Sequence, residues 1–421
     1  MSCVISSISM KFVISVGAVA AVFFVVPALA TTTFQELIRE AARKNGFAAA
    51  ADTHVPVDPA LVAAGRVLFE SKALSLNGSI ACQTCHLDEF GSADGIPNAV
   101  AVGGQGKGRE RVMSEGGILP RNTLPFWGRG GKGFSVFFWD GKVDFGGGRK
   151  ASQFGDAFPS DDALVTAVHL PVVEIREMLA EDEIVLSNKT ETVEGAQRIY
   201  AALTDQLRTK EPEAINAIGK AFGVDEEEVS FLHVASSLAN FIRDKFRIRE
   251  TRFHRFVFEG ESLTDEELRG GQLFYGKGKC ANCHSGAYFT DFEFHAVPLP
   301  QIGFGKNGFG VDYGRFNVTH DPGDLYKFRT PPLFNVEKTA PYGHSGSVST
   351  LHEAIVFHFD PLRSIDTSQM SALDRHEYYK RLAAAANGTV LIGNIDDKEV
   401  DALVAFLKTL SFEIEQQPER K

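Results

Sequence analysis

The sequence predicts a mostly α-helical chain that contains two similar domains with long loops. In two places an apolar helical segment containing Gly-x-x-Leu-Phe is followed by the string Cys-x-x-Cys-His. Strand signals are sparse, and the 40 glycines and 34 phenylalanines indicate turn-rich loops packed against aromatic side chains. A chain of 421 residues is long enough for two ordinary domains.

Composition and charge exclude one class of partner. Hydrophobic residues make up 44% of the chain and charged residues 23%, which is typical of a globular protein. The net charge is −11 and no dense run of Lys and Arg is present. Nucleic-acid binding draws on clustered basic residues, so this class is excluded. Protein partners stay open, and a homodimer is among them.

Residues 1–30 have the pattern of a secretory signal peptide. Lys11 is followed by an apolar run over residues 12–26 and then by Ala28-Leu29-Ala30, which fits an A-x-A cleavage site. The apolar run is shorter than a usual membrane span, so a cleaved signal is favoured over an uncleaved anchor. We expect cleavage after Ala30, which also removes Cys3, and export to the periplasm.

The four remaining cysteines predict the chemistry. They form two Cys-x-x-Cys-His strings, which are Cys82, Cys85 and His86, and Cys280, Cys283 and His284. Disulfides, a redox pair or a zinc site are the alternatives, but none of these requires a histidine after the second cysteine. The string is the attachment signal for c-type haem, in which the histidine becomes the proximal iron ligand. The sequence therefore predicts two covalent haems, held at the iron by His86 and His284.

The surroundings of the two strings predict the domain organisation. Apolar helical segments at 61–69 and 267–274 precede them, and helix, string and irregular loop together form the plan of a small cytochrome c domain. Ser262, Leu263 and Thr264 precede an acidic first turn, which is a helix-start signal. We expect a signal peptide over 1–30, an N-terminal domain over 31–255 and a C-terminal domain over 256–421.

Six ordered motifs between residues 81 and 355 carry a similarity to known proteins that runs from about residue 55 to residue 410. They are ACQTCH, RNTLP (121–125), FFWDGK (137–142), PVVEIREM (171–178), KCANCH and FRTPPLFNVEKTAPYGHSGSVSTLHEAI (328–355). With these motifs the sequence resembles the bacterial dihaem cytochrome c peroxidase family, including its MauG-like branch. The resemblance implies that the N-terminal haem reacts with hydrogen peroxide and that the C-terminal haem relays electrons.

A histidine on an apolar helix face is a candidate ligand of the second iron. The stretch TLHEAIVFHFD (350–360) predicts a helix with Leu351, Ile355 and His358 on one face. A lone histidine there is usually a satisfied core residue. The resemblance implies instead that His358, fourteen residues after His344, binds iron opposite the proximal histidine; His344 itself resembles a residue near the haem edge. Many family members carry methionine or tyrosine at this position, and a second imidazole should hold a lower potential than a thioether.

The first haem is expected to have an open face. No histidine lies between His86 and His169, whereas resting peroxidases of the family often carry a removable distal histidine in this gap. The resemblance therefore implies a five-coordinate or water-bound iron. Met113 is the one sulfur in the gap that could close it, and its alternative is a surface or packing methionine.

The resemblance assigns two catalytic residues. Peroxide cleavage needs a proton acceptor, and Glu177 matches the family's distal glutamate; its alternative is a solvated glutamate. Trp139 matches the tryptophan that relays electrons between the haems; its alternative is an aromatic core residue. Trp127 has no such match and is expected in the core.

Three further residues match a calcium site that lies between the two domains in the family. They are Asn122, Thr339 and Pro341, whose amide and backbone oxygens suit Ca²⁺. The glycine-rich stretch 102–117 is expected to form a flexible loop near the first haem. Residues 144–165 look like an insertion foreign to the family, without an assigned function.

Three functions remain open from the sequence. The first is a periplasmic peroxidase that reduces hydrogen peroxide with electrons from a small cytochrome c or cupredoxin. The second is a MauG-like enzyme that oxidises a side chain, such as a tryptophan, of a partner protein. The third is a non-catalytic electron carrier, which would need six ligands on both irons.

Overall fold

The computed structural model describes residues 25–180, 191–387 and 394–415, and their side chains except those of 25–33 and 387. The α-helices are α1 Val25–Lys44, α2 Pro59–Glu70, α3 Arg109–Val112, α4 Ala163–Val168, α5 Val193–Lys210, α6 Pro212–Phe222, α7 Phe231–Lys245, α8 Arg252–His254, α9 Asp265–Tyr275, α10 Phe316–Thr319, α11 Leu351–Phe359, α12 Ala372–Asn387 and α13 Asp397–Lys408. The prediction of a mostly α-helical chain is confirmed.

The β-structure consists of two-residue strands in antiparallel pairs. The strands are β1 Val136–Phe137, β2 Val143–Asp144, β3 Phe294–His295, β4 Phe304–Gly305, β5 Gly308–Phe309 and β6 Phe328–Arg329. Strand β1 pairs with β2, β3 with β6, and β4 with β5. These pairs clamp long loops rather than form a sheet core, which agrees with the sparse strand signals.

The N-terminal segment is only partly described. Most of the predicted signal peptide, 1–30, lies outside the described residues, and α1 runs across the expected cleavage point after Ala30. Within the part of the chain that the structure describes, no helix has the length and apolarity needed to span a bilayer.

The two segments that look alike in sequence make the same helix contact. Helix α2 crosses α7 at Gly65, where a Cβ would lie 2.1 Å from the carbonyl oxygen of Ser237. Helix α9 crosses α13 at Gly270, where a Cβ would lie 2.0 Å from that of Ala402. Glycine therefore lets each pair of backbones approach closely. The Leu-Phe pair one turn later is buried in both helices.

Side-chain caps start both of these helices. The Asp58 carboxylate accepts hydrogen bonds from the backbone N–H groups of Ala60 and Leu61 at the start of α2. Thr264 and Glu267 form a reciprocal capping box at the start of α9. The helix start predicted at 262–264 is therefore confirmed.

Two segments that the sequence analysis placed in the N-terminal domain pack on the C-terminal half. Arg39 of α1 donates hydrogen bonds to the carbonyl oxygens of Phe256 and Glu261. Phe253 contacts Phe406 at a ring-centroid distance of 5.1 Å. An apolar face needs burial but does not specify its partner, so the linear division could not assign these contacts. The domain boundary at 255/256 itself stays a prediction.

Buried ion pairs join the two halves near the middle of the molecule. The Arg121 guanidinium lies 2.6 Å from an Asp140 carboxylate oxygen and 2.9 Å from one of Asp312. Arg315 lies 2.9 Å from the Asp144 carboxylate. Buried carboxylates need such partners. The segment that carries Trp139 is therefore anchored to residues from the C-terminal half.

Residues 144–165, which run from β2 through an irregular loop into α4, help to line a cavity of about 670 Å³ next to α5. Ala151 bridges back to Asp144, and Ser152 bridges to Gly155. This cavity is separate from the one that contains the first Cys-x-x-Cys-His string.

We predict that Gly270→Ala lowers the free energy of unfolding by about 1–3 kcal/mol or more, because the added methyl would overlap a backbone carbonyl. Gly271→Ala is the matched control, since its Cβ would meet mainly side-chain carbons of Ile38, from 3.1 Å. Urea unfolding of both haem-loaded variants measures the difference. Equal losses would contradict a role for Gly270 in the helix crossing.

Candidate functional site

The first string lines a cavity of about 530 Å³. Cys82 begins a 3-10 turn, and the following His86 stacks on Phe126 at a centroid distance of 3.7 Å. The His86 Nδ1 lies 2.9 Å from the carbonyl oxygen of Ser92. A carbonyl only accepts, so Nδ1 carries the proton and Nε2 keeps its lone pair. Burial lowers the pKa of His86 to about 3, so the imidazole is neutral, as a metal ligand must be.

The second string repeats this arrangement. His284 donates from Nδ1 to the carbonyl oxygen of Phe289 over 3.0 Å. The two accepting residues, Ser92 and Phe289, both have left-handed backbones, with φ of 68° and 54°. Burial lowers the pKa of His284 to about 4. Each half therefore presents a neutral imidazole with Nε2 free of this backbone contact.

The cysteines fit thioether attachment better than the alternatives. The four described cysteines form no disulfide. Burial raises the pKa of the Cys82 and Cys280 thiols to about 12, so without a metal or a covalent partner both stay protonated. Among the described residues, one group has metal-ligand spacing, and it combines Cys283 with Asp291 and His295 rather than joining four sulfurs. The residues of both strings therefore fit covalently held haem.

His358 lies near the second string. It sits on α11, where the predicted helix forms over Leu351–Phe359, and Nδ1 donates to the carbonyl oxygen of Ala354 over 2.7 Å. Burial lowers the pKa of His358, and repulsion between the protonated forms of the two imidazoles contributes to the low pKa of His284. The two imidazoles are thus close enough to interact electrostatically.

His344 is engaged by other residues. It stacks on Phe328 at a centroid distance of 3.9 Å, and its Nε2 lies 3.0 Å from the side-chain oxygen of Gln301. Burial lowers its pKa to about 3. His344 is therefore a neutral buried group that both of its polar and ring contacts hold in place.

Glu177 lines the same cavity as the first string. Burial raises the pKa of its carboxyl to about 7, although the positive charges of Lys142 and Lys306 act in the opposite direction. Glu174 also raises the pKa of Glu177. A carboxyl that titrates near neutral pH can both take and return a proton.

Lys142 is a cavity residue that the sequence analysis missed. Its Nζ lies 3.0 Å from a Glu174 carboxylate oxygen, and the side chain is only 10% exposed. Burial lowers the pKa of Lys142, but the carboxylates of Glu174 and Glu177 outweigh this effect, so the net shift is upward. The sequence feature that could have indicated this role is the position of Lys142, three residues after Trp139 in the same motif. Lys142 is therefore a permanent positive charge beside the candidate proton acceptor.

Among the described residues, the lining of the first cavity includes one imidazole, that of His86, and one thioether, that of Met178. His169 lies outside the lining, and its Nδ1 donates to the carbonyl oxygen of Val165 over 2.7 Å. Met113 is 89% exposed and is also outside the lining, which favours its interpretation as a surface methionine.

Trp139 also lines this cavity and contacts the C-terminal half. Its indole N–H donates to the carbonyl oxygen of Asn122 over 2.9 Å. Its ring approaches Phe328 at 6.5 Å, and its carbonyl accepts from the Arg329 N–H over 2.8 Å. By contrast Trp127 is only 2% exposed and does not line the cavity.

Two of the three candidate calcium ligands meet. The Asn122 side-chain amide donates to the carbonyl oxygen of Pro341 over 2.7 Å, and its Oδ1 is buried without a hydrogen-bond partner. An orphaned buried oxygen is what a bound cation would satisfy. The Thr339 hydroxyl instead donates to the carbonyl oxygen of Val336.

Comparisons with known proteins identify the relatives of this chain. Residues 59–262 match the family described as di-haem cytochrome c peroxidase. The chain is 30% identical over 309 residues to the methylamine utilization protein MauG of Methylorubrum extorquens, covering 72% of this chain and 69% of that protein. It is 27% identical over 298 residues to cytochrome c551 peroxidase of Pseudomonas aeruginosa, covering 69% of each.

A solved structure supports the same assignment. The crystal structure of a MauG-like protein associated with microbial copper homeostasis matches with a TM-score of 0.61 and 25% identity, covering 86% of this chain and 93% of that one. Family match, sequence relatives and fold therefore agree. The chain belongs to the MauG-like dihaem cytochrome c peroxidase family of oxidoreductases, whose cofactors are c-type haems.

Proposed function

We propose that the protein is a periplasmic dihaem peroxidase that reduces hydrogen peroxide to water. The observation that carries this proposal is Glu177, a carboxyl with a pKa near 7 in the cavity of the first string. The export signal predicted over 1–30 supports the periplasm as the compartment. One peroxide, two protons and two electrons give two waters, so the chain must supply a proton path and an electron path.

Haem, when bound to the two strings, supplies iron that reacts with peroxide and exchanges electrons. Cys82 and Cys85 would hold the first haem and Cys280 and Cys283 the second. His86 and His284 offer their Nε2 atoms as proximal ligands, since Nδ1 is committed to a backbone carbonyl in each case. These hydrogen bonds also orient the rings, as the outer partners of a metal-bound histidine commonly do.

Glu177 supplies the proton path. Its carboxylate takes the proton from one peroxide oxygen and returns it to the other, which then leaves as water. Lys142 stays protonated beside it, stabilises the carboxylate form and favours negative charge on the departing oxygen. Apolar residues make up much of the remaining wall, which strengthens these charge interactions.

Trp139 supplies the electron path. It lines the first cavity, its ring approaches Phe328 and its backbone carbonyl accepts from the Arg329 N–H, and these contacts with the C-terminal half support a relay role. His284 and His358 are the two imidazoles proposed to hold the second haem. A small cytochrome c or a cupredoxin is the proposed electron donor to that half.

A MauG-like activity is the second candidate, in which peroxide drives oxidation of a side chain on a partner protein. Two observations favour it. Two relatives are named MauG, at 30% and 28% identity. The residue near His284 is also an imidazole, His358, which should hold a lower potential than a methionine thioether. The carrier hypothesis is weaker, because His86 is the only histidine among the described lining residues, although the thioether of Met178 also lines this cavity.

Calcium at the junction of the halves is a further part of the proposal. The buried, unpartnered Oδ1 of Asn122 and the nearby carbonyl of Pro341 support it. The Thr339 hydroxyl donates its proton to the Val336 carbonyl oxygen, so Thr339 would bind calcium through its backbone carbonyl oxygen. The ion would give the buried Asn122 Oδ1 the partner that the protein does not supply.

The number of donor molecules oxidised per peroxide tests the function, and the Trp139→Phe variant tests the electron path. We expect wild-type enzyme to oxidise two one-electron donor molecules per peroxide. The Trp139→Phe variant should bind and cleave peroxide at the normal rate. The spectral change of the C-terminal site should follow more slowly, because phenylalanine is much harder to oxidise than tryptophan. Stopped-flow spectra with a reduced cytochrome c measure both. Poor donor turnover, together with peroxide-dependent oxidation of a partner protein, would favour the MauG-like alternative.

Glu177→Gln should slow the peroxide step by about 10²–10⁴-fold, because the base is lost while the size is kept. In wild type the rate should rise with pH through a midpoint near 7, as the carboxyl loses its proton. Lys142→Met should move this midpoint upward and Glu174→Gln should move it downward, because the first removes a stabilising positive charge and the second a repelling negative one. Midpoints that shift in the same direction would exclude Glu177 as the titrating group.

His358→Ala should convert the low-spin ferric signal of the C-terminal site into a high-spin signal. His352→Ala is the matched control, because His352 lies on the same helix and is 39% exposed. Electron paramagnetic resonance of the resting enzymes distinguishes the two. If the low-spin signal survives in His358→Ala, the ligand is another residue.

Calcium removal should lower the melting temperature. A bound ion stabilises the fold by about 2.7 kcal/mol when its free concentration is 100-fold above Kd. Asn122→Ala should melt at the same temperature with and without EGTA, whereas wild type should not. Differential scanning calorimetry measures both, and a wild-type protein indifferent to EGTA contradicts the calcium proposal.

A further inference from the structure

The buried Trp127 packs against Phe246 and Phe412 in the interior of the molecule. It is one of only two tryptophans in the chain, and its side chain is 2% exposed. The residues around it connect to both proximal histidines, whereas Trp139 lies on the cavity wall. The sequence predicts that Trp127 is a core residue, which its burial confirms. Its contacts also connect it to the surroundings of both His86 and His284.

On one side Trp127 connects to His86 by two short routes. Its indole N–H donates to the carbonyl oxygen of Gly91 over 2.8 Å. The next residue, Ser92, accepts the hydrogen bond from His86 Nδ1 over 2.9 Å. The preceding residue, Phe126, stacks on the His86 ring at 3.7 Å with an interplanar angle of 22°. Trp127 is thus coupled to the first imidazole through hydrogen bonds and through a ring contact.

On the other side Trp127 begins a series of aromatic rings that ends at His284. Its ring contacts Phe412 at 4.9 Å, and Phe412 lies 6.5 Å from Phe334. Phe334 lies 5.6 Å from Phe289, whose carbonyl oxygen accepts from His284 Nδ1 over 3.0 Å. The series crosses from the N-terminal to the C-terminal half without passing through Trp139.

Trp127 is the one member of this series that gives up an electron readily, since the other rings are phenylalanines. The carbonyl of Gly91 accepts from its N–H, and such a hydrogen bond stabilises positive charge on the indole. The apolar surroundings contain Phe246 at 5.5 Å and Phe412 at 4.9 Å, so water has little access to an oxidised ring.

We propose that Trp127 is a second electron-relay residue, which connects the proximal sides of the two sites in parallel with Trp139; this rests on the proposed function. In each transfer Trp127 loses one electron towards the first site and regains one from the second. No bond forms or breaks, and the indole proton stays on Nε1 in its hydrogen bond to Gly91. Two such transfers match the two electrons that one hydrogen peroxide consumes.

The test uses the Trp139→Phe variant, in which Trp127 is the only tryptophan left. Growth with a fluorinated tryptophan then changes Trp127 alone, raises its oxidation potential and keeps its packing and N–H hydrogen bond. We expect electron transfer between the two sites to slow at least tenfold on fluorination, with an unchanged melting temperature. A merely structural Trp127 would leave the rate unchanged, and that result overturns the proposal.

A second readout detects the oxidised residue itself. Peroxide added to Trp139→Phe without a donor should give a radical signal in electron paramagnetic resonance. Ring-deuterated tryptophan should narrow the signal, and Trp127→Phe should abolish it. A peroxide-treated sample that responds at the C-terminal site but shows no tryptophan-derived signal, with a rate unaffected by fluorination, contradicts the relay.

Electron redistribution after rapid one-electron reduction of the loaded protein needs no peroxide. This measurement therefore separates the two proposals. A fluorination-sensitive redistribution rate in a protein that fails to reduce peroxide would overturn the proposed function and support the relay. A fluorination-insensitive rate in an active peroxidase would overturn the relay and support the proposed function.

Discussion

The site depends above all on one hydrogen bond that occurs twice. In each half a buried imidazole donates from Nδ1 to a backbone carbonyl in the loop that follows it, at Ser92 for His86 and at Phe289 for His284. Both accepting residues adopt left-handed backbones, which cost of order 1–3 kcal/mol for a non-glycine residue. The surrounding packing must overcome this cost. The bond fixes the tautomer and the ring direction, so that Nε2 alone remains to bind a metal.

The cavity of the first string contains an acidic group, Glu177, and a basic group, Lys142. Burial raises the pKa of the Glu177 carboxyl to about 7, while the positive charge of Lys142 stabilises the carboxylate form and limits this rise. In the proposed mechanism this balance lets Glu177 both accept a proton and return it. Trp139 lines the same cavity, so the proposed proton path and one proposed electron path share that cavity.

The junction of the halves explains how these parts stay in register. Arg121 pairs with Asp140, next to Trp139, and with Asp312 from the C-terminal half. A buried charge without a partner is costly, so this network resists separation of the halves. The proximal connection through Trp127 and Phe412 crosses the same junction at a second place. The two halves are thus in contact at two places, one next to Trp139 and one next to Trp127.

The sequence by itself determined the local parts of this protein. The Cys-x-x-Cys-His strings, the glycines at the helix crossings and the apolar periodicity of 350–360 are short-range patterns, and they predicted the helices and the haem attachment. Only the tertiary structure decided which distant groups meet. It placed α1 and Phe253 on the C-terminal half, Lys142 beside Glu177, and Trp127 between the two proximal histidines. The physical reason is that apolar burial and charge pairing act between segments far apart in the chain, and a linear pattern specifies the need for a partner but not its identity.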